Sequence, residues 1–361
     1  MRASSQVLIA LFCWFSFTGF AQQGASPAQV PTLANRPSAV APPANRRITL
    51  DVVVTEHSGN TVSGLQQQDF TLLDDKQPQT ITSFYAAGGI STPVDIPLKV
   101  ILLVDAVNTP FRGVALQRVQ LDKFLRHDGG ELPLPTSLTI LTDKSGGQTP
   151  VTQDGNVLAD SLNSQQTGLR TITRSQGFYG GVERANLSLG ALEQILSSEA
   201  TQPGRKLLIW LGPGWPLLTG PRVRLTTKDQ DGLFNAVVRL STALREARVT
   251  LYNVYPPGMS NSLASEVYYE SFLKGVGSAS KVTNGNLAVQ VLAVQSGGRV
   301  LNASNDIAGS IEKCLVDAKA FYTLSFDSPP ADHANEYHNL QVKIGKPGLT
   351  ARTRTGYYAQ P

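Results

Sequence analysis

The stretch KVILLVDAVNTPF, from Lys99 to Phe111, decides the fold class. Five consecutive apolar residues run into Asp105, and a short polar loop follows. A nearly continuous apolar run is typical of a strand buried on both faces of a mostly parallel sheet. In such sheets ligands bind beyond the carboxyl ends of the strands. The stretch therefore predicts the first strand of an α/β domain and makes Asp105 the first candidate for chemistry.

Strands and helices alternate over residues 97–320. Most of the strands are nearly continuous apolar runs, and the helices between them are amphipathic. This order predicts a doubly wound, mostly parallel α/β sheet. The predicted strands are LKVILLVDA, SLTILTD, RKLLIWLG, VTLYNVYP and RVLNAS. The predicted helices are GVALQRVQLDKFLRH, GVERANLSLGALEQILSSEA, GLFNAVVRLSTALREAR, NLAVQVLAVQSGG and DIAGSIEKCLVDAKA.

The segments on either side of this domain have β character. Residues 46–96 contain RITLDVVV, DFTLLDD and QTITSFYA, and residues 321–361 contain FYTLSFDS, YHNLQVKIGKPG and LTARTRTGYYA. Apolar and polar residues alternate in these runs, as in half-buried strands. We expect the two segments to pack together as one sandwich-like module that flanks the α/β domain.

The N-terminus predicts export. Residues 1–21 carry an early arginine, an apolar run and small residues before Gln22, which is typical of a cleaved signal peptide. The alternatives are an uncleaved membrane anchor and a lipid attached at Cys13. Residues 22–45 are rich in Pro, Ala and Gln and predict a flexible linker. We expect a periplasmic or extracellular protein with no membrane span in the mature chain.

Charge, cysteine count and histidine spacing narrow the kinds of partner and bond to expect. The formal net charge is +4 over 361 residues, and no basic cluster is longer than Arg46–Arg47, which argues against a nucleic-acid partner. With cleavage before Gln22, Cys314 is the only cysteine of the mature chain, so no intramolecular disulfide is expected and Cys314 is predicted to be a core residue. The four histidines are scattered, and we expect them to be solvated.

Several fragments resemble one known family in their order and spacing. They are VVVTEHSGNTVSGLQQQDFTLLDDKQPQTITSFY, VILLVDAVNTPF, GRKLLIWLGPGWP, LREARVTLYNVYP, QSGGRVLNASNDIAGSI and the ending YTLSF, LQVKI and GLTARTRTGYYA. The chain resembles the von Willebrand factor type A (VWFA) domain, in the form of a bacterial secreted VWFA-related family frequent in acidobacteria. The resemblance implies a doubly wound sheet with a ligand site at the carboxyl ends of its strands.

The resemblance also implies a metal-ion-dependent adhesion site. In metal-binding members, the first strand ends in Asp-x-Ser-x-Ser, a loop adds a Thr, and a strand in mid-domain ends in an Asp. These oxygens hold Mg²⁺ or Mn²⁺, and an acidic group of the partner fills the open position. Here Asp105 matches the Asp, Val107 replaces the first Ser, and Thr109 stands for the second.

The remaining ligand positions match less well. The mid-domain strand ends in Gly212, with Gly214 nearby and no carboxylate, and the loop threonine corresponds to Thr173 or Ser175. The candidate metal ligands are therefore Asp105, Thr109, Thr173 and Ser175 of a degenerate site. We expect no cofactor; Mg²⁺ or Mn²⁺ is the cation such a partial site would take. The alternative is that Asp105 accepts backbone N–H groups or caps the helix beginning near Gly113.

No strong catalytic motif occurs in the sequence. A phosphotransferase with Asp-x-Asp at its first strand end would need a second carboxylate where Val107 stands. A hydrolase would need an acidic pair across the strand ends, such as Asp105 with Asp143. The sequence therefore predicts a non-enzymatic protein.

The loops at the strand ends predict protein binding instead. The segment GPGWPLLTGPRVRL brings Trp215, Arg222 and Arg224 into a loop rich in Pro and Gly, and Trp and Arg are favoured interface residues. Asn108 in the first loop is a fourth candidate, and the loop from Pro256 to Ser260 lies at the same edge. The alternative is that Trp215 packs on its own domain. We expect a degenerate VWFA protein that binds protein partners at the cell envelope; the sequence predicts no oligomeric state.

Overall fold

The computed structural model describes residues 46–87, 97–143, 147–164, 178–216, 225–256 and 268–361, of which residues 178 and 179 are described by their backbone alone. The described strands are β1 (Arg47–Glu56), β2 (Phe70–Asp74), β3 (Gln77–Gln79), β4 (Ser83–Ala87), β5 (Leu98–Asp105), β6 (Glu131–Leu141), β7 (Thr152–Asp154), β8 (Arg205–Leu211), β9 (Val249–Val254), β10 (Val300–Leu301), β11 (Phe321–Asp327), β12 (Glu336–Ile344), β13 (Leu349–Arg352) and β14 (Gly356–Ala359). The described α-helices are α1 (Phe111–Leu125), α2 (Gly155–Ser164), α3 (Phe178–Ala200), α4 (Thr227–Glu246), α5 (Val289–Gln295) and α6 (Ile307–Lys319).

A six-stranded sheet forms the centre of the fold, in the order β10-β9-β8-β5-β6-β7. Its strands are parallel except β7, which lies antiparallel to β6 at the edge. Numbered along the chain within this sheet, the order is 6-5-4-1-2-3, a common doubly wound arrangement. The predicted mixed α/β fold with a mostly parallel sheet is confirmed at this level.

The apolar run of β5 explains its place in the middle of the sheet. Val100, Leu102 and Val104 pack in the core shared with α1, α2 and α6. Ile101 and Leu103 point to the opposite core, which α3, α4 and α5 cover. Because successive side chains of a strand point to opposite faces, a strand covered on both sides must be apolar at every position.

Two four-stranded antiparallel sheets flank this domain, in the orders β13-β1-β11-β4 and β14-β12-β2-β3. Each contains strands from both ends of the chain; β1 pairs with β11, placing Arg47 opposite Asp327 and Val52 opposite Tyr322. Alternate side chains of the two sheets form one apolar core between them. Pro43–Pro361 form one compact unit, so whether the flanks make a separable domain stays a prediction.

Four polar side chains connect the flanking sheets to the α/β part. The carboxylate of Asp317 on α6 is fully buried and accepts hydrogen bonds from Arg299 at 2.7 Å and from the Tyr252 hydroxyl at 2.8 Å. Arg352 of β13 donates to the same carboxylate oxygen as Tyr252, and Arg299 donates to the other one. A buried carboxylate needs such partners because desolvation of an unpaired charge is costly. The cluster therefore fixes β13 against α6 and β9.

Some elements differ from the sequence prediction. Helix α1 begins at Phe111, two residues before the predicted start, and neither β7 nor α2 was predicted. The last predicted β run divides into β13 and β14. Among the helices that the structure describes, none is both long and apolar enough to cross a membrane.

Candidate functional site

The first candidate site lies where the strand order of the central sheet reverses, between β5 and its neighbour β8. Both strands are parallel and end at the same edge, β5 at Asp105 and β8 at Leu211. Open α/β sheets bind ligands in the crevice at such a reversal. The side chains that follow these two strand ends therefore decide what the site can do.

The carboxylate of Asp105 is occupied by donors of its own chain. The backbone N–H of Asn108 donates to Oδ1 at 2.9 Å, and the Asn108 amide reaches Oδ1 at 3.0 Å and Oδ2 at 2.9 Å. The indole N–H of Trp210 on β8 donates to Oδ2 at 3.0 Å. Asp105 is 0% exposed, and burial raises the pKa of its carboxyl although these hydrogen bonds oppose the shift.

Asn108 is the link between this carboxylate and α3. Its side-chain amide, which contacts both oxygens of Asp105, also donates to the Ser188 hydroxyl at 2.8 Å. Ser188 is fully buried and donates in turn to the carbonyl of Arg184 at 2.9 Å. The loop after β5 is thus held by a network that closes Asp105 from solvent, and the side chain of Asn108 is directed inward.

Gly212, which follows β8, has no room for a side chain. A Cβ built there would lie 2.7 Å from the Cβ of Asp105 and 3.0 Å from the hydroxyl oxygen of Thr109, and its φ is +149°. The side chain of Asn253 donates to the Gly212 carbonyl at 2.8 Å. The position that corresponds to the expected carboxylate is therefore closed by Asp105 itself.

The described residues at this edge do not fit a hard cation. N–H groups, which repel a cation, point at both oxygens of Asp105. Val107 packs in the apolar core, and Gly212 offers no side-chain oxygen. The Thr109 hydroxyl is buried and has no hydrogen-bond partner in the described part of the chain, but one hydroxyl is a small part of the six to eight oxygens that Ca²⁺ takes or the octahedron that Mg²⁺ needs.

The roles of Asp105 and Thr109 as metal ligands stay predictions that these contacts do not favour. The geometry favours the alternative in which Asp105 accepts a backbone N–H of the adjacent loop; the N-cap of α1 is Pro110, not Asp105. The other two predicted ligands, Thr173 and Ser175, lie outside the described residues.

The predicted partner-binding residues are only partly described. Trp215 is 6% exposed, its indole N–H donates to the Leu287 carbonyl at 3.1 Å, and its ring lies edge-on to Trp210 at 5.5 Å. The alternative in which Trp215 packs on its own domain is therefore the one observed, because its polar atom and its ring are used inside the core. Arg222 and Arg224 lie outside the described residues, as does most of the loop after Pro256.

Helix α1 presents exposed apolar side chains that the sequence prediction missed. Phe111 is 48% exposed, Leu116 37% and Val119 66%; these three residues are called the α1 patch below. Phe111 begins α1 just beyond the loop after β5. The helical period of 100° per residue would have placed Leu116 and Val119 on the side away from the buried Val114.

A second polar cluster lies at the end of β2 in the flanking sheets. His338 was expected to be solvated but is 6% exposed, and its Nδ1 lies 3.0 Å from Oδ1 of Asp74. Tyr357 donates to Oδ2 of Asp74 at 2.7 Å and its ring stacks on His338. The nearby carboxylate of Asp75 makes three possible ligands, but the hydrogen-bonded pairing accounts for the arrangement without an ion.

Comparisons with known proteins give only distant similarities. No family model matches the chain, and a search of curated proteins gave no significant match. An aerotolerance-related membrane protein from Bacteroides fragilis is 10% identical with a TM-score of 0.35, covering 62% of this chain and 99% of that one. The human COPII-coat protein Sec24c is 10% identical with a TM-score of 0.35, covering 73% and 44%. Three N-terminal domains of the type V pili tip protein Mfa5 from Porphyromonas gingivalis are 10% identical with a TM-score of 0.33, covering 82% and 69%. Similarity at this level bears on neither ligand nor function.

Proposed function

We propose that the chain is an exported, non-enzymatic VWFA-type protein that binds a protein partner at the cell envelope without a metal ion. The carboxylate at the reversal point of the sheet is fully buried and accepts hydrogen bonds from Asn108 and Trp210, which supports a strand end that engages neither a cation nor a substrate. On this proposal, the strand-end face binds a protein partner by surface contacts and neither holds a metal ion nor catalyses a reaction.

The strand order supports the VWFA interpretation. The first strand is central, the strand after it leads to an antiparallel edge strand, and the remaining parallel strands extend the other way. The fragments of the sequence that resemble the family fall on β5, β8, β9 and the start of α6 in this arrangement.

The α1 patch is the surface we assign to the partner. Phe111, Leu116 and Val119 are apolar, exposed and carried by one helix next to the strand-end face. Clusters of exposed apolar side chains commonly mark interaction surfaces. Burial of one valine side chain contributes about 1.5–3 kcal/mol, which is enough for its loss to be measured.

Two other functions require features that these residues lack. A metal-dependent adhesin would need free oxygens on Asp105, and the described donors to its carboxylate are N–H groups. A hydrolase with Asp105 and Asp143 would need two carboxyl groups facing one substrate, whereas Asp143 is exposed and Asp105 is fully buried.

The proposal is tested in two steps. The purified mature chain is first used to capture a partner from a native envelope extract, and binding of that partner is then titrated. Val119→Lys should weaken binding at least tenfold, or about 1.4 kcal/mol, because a charge replaces an apolar contact. Val157→Lys is the matched control, since Val157 is a 55% exposed valine on α2. Equal binding by both variants, or binding that requires a divalent cation, would contradict the proposal.

A further inference from the structure

A small cavity, partly open to solvent, lies between the first strand of the flanking sheets and the end of α4. Its lining includes Asp51 of β1, Arg245 of α4, Arg248 before β9, Ser296 after α5 and Arg354 between β13 and β14. Its volume is about 20 Å³. A cavity of this size holds one water molecule or a monatomic ion of similar size.

The charges around the cavity do not balance. Arg245, Arg248 and Arg354 bring three guanidinium groups, and Asp51 is the one carboxylate in the lining. Asp51 is already engaged, because its Oδ1 accepts from Arg248 at 2.5 Å and from the Thr323 hydroxyl at 2.9 Å. The residues that line the cavity therefore carry two more positive than negative charges.

Arg354 shows the imbalance most clearly. It is 7% exposed, and its guanidinium donates to the Ser241 carbonyl at 3.2 Å. Among the described residues no carboxylate lies within ion-pair distance of it. Burial, and then the charge of Arg245, lower the pKa of Arg354 to about 9. A buried charge without a counter-charge is among the costlier features a fold can contain.

Hydrogen-bond donors in the same cluster also lack acceptors. The Nε–H groups of Arg245 and Arg248 are buried and have no partner in the described part of the chain. Arg245 directs another nitrogen to Glu246, which is 59% exposed and lies at the surface. Buried donors of this kind call for a water or an ion. A water molecule accepts hydrogen bonds but leaves the charge unbalanced, whereas an anion does both.

We propose that this cavity binds one monatomic anion, of the size and charge of chloride, that connects Arg354 of the flanking sheets to Arg245 and Arg248 of the α/β domain. The anion accepts N–H groups from both parts of the chain. Its binding is linked to folding, because the three guanidinium groups come together only in the folded chain. At a free anion concentration ten times the dissociation constant, the folding equilibrium constant rises by about tenfold.

Urea unfolding of the mature chain in sodium chloride, sodium bromide and sodium gluconate at equal ionic strength tests the proposal. We expect chloride and bromide to raise the midpoint saturably above its value in gluconate, an anion too large for the cavity. Arg354→Gln should remove the difference between the salts. Arg239→Gln is the matched control, because Arg239 pairs with Glu193 at the surface of the same helix α4 and should leave the difference intact.

A crystal grown in bromide gives a readout that needs no variant. An anomalous peak within hydrogen-bond distance of Arg354 supports the proposal, including in the case that Arg354→Gln does not fold. Identical midpoints in the three salts together with no anomalous peak in the cavity would overturn it in favour of a bound water.

Discussion

Replacement of Gly212 by alanine should destabilise the protein strongly, although it adds only one methyl group. The new Cβ would lie 2.7 Å from the Cβ of Asp105, whereas carbon atoms in contact prefer about 3.5–4.0 Å. Overpacking of a core costs about 1–3 kcal/mol. The φ of +149° is rare for residues with a side chain, and strained backbone of this kind costs about 1–3 kcal/mol more. We expect the free energy of unfolding to fall by about 2–6 kcal/mol.

Urea unfolding monitored by tryptophan fluorescence measures this loss, since Trp210 and Trp215 are buried beside the site. Gly190→Ala is the matched control. Gly190 lies within α3, and a Cβ added there would meet no atom within 4 Å, so alanine should stabilise that helix by about 0.5–1 kcal/mol. If Gly212→Ala changed stability by less than about 0.5 kcal/mol, the explanation for the missing carboxylate at this strand end would be refuted.

Four further predictions concern the site, the core and the flanks. Calorimetry with millimolar Mg²⁺, Mn²⁺ or Ca²⁺ should give no saturable heat; heat that Asp105→Ala abolishes would contradict the closed site. Trp210→Phe removes an N–H donor from a buried carboxylate and should cost about 1–3 kcal/mol near neutral pH in urea unfolding. That cost should shrink as the pH falls through the raised pKa of Asp105, because the folded state binds the proton more tightly and the neutral carboxyl no longer needs the donor. Cys314 is buried with a raised thiol pKa and should react with a thiol reagent only after unfolding; rapid native labelling would count against its place in the core. Deletion of residues 321–361 removes β11 to β14 and should leave an insoluble chain. A sandwich built from both ends would be contradicted if residues 97–320 folded alone in soluble form and the two flanking segments failed to associate when mixed.

The sequence was sufficient for elements whose burial follows from their composition. β5 was predicted within one residue, because a strand covered on both faces is apolar along most of its length. It was not sufficient for β7, whose residues Thr152–Asp154 have no apolar side chain and are held at the edge by pairing with β6. Helix α1 was predicted to begin at Gly113, two residues too late, so Phe111 was not recognised as part of the α1 patch.

The candidate site was located by sequence but not explained by it. Asp105 at a strand end, the glycine at position 212 and the apolar side chain of Val107 could be read directly. The inward direction of Asn108 and the burial of Trp215 could not, since both depend on contacts with residues about 70 or more positions away.

The sequence by itself determined the mostly parallel sheet and the position of its strand-end edge, because alternation and apolar runs are local properties of the chain. Only the tertiary structure decided that Trp210 on β8 and Asn108 after β5 occupy the same carboxylate, and that Arg245, Arg248 and Arg354 surround one small cavity. Hydrogen bonds and charges act over a few ångströms in space, and distance along the chain does not encode that separation.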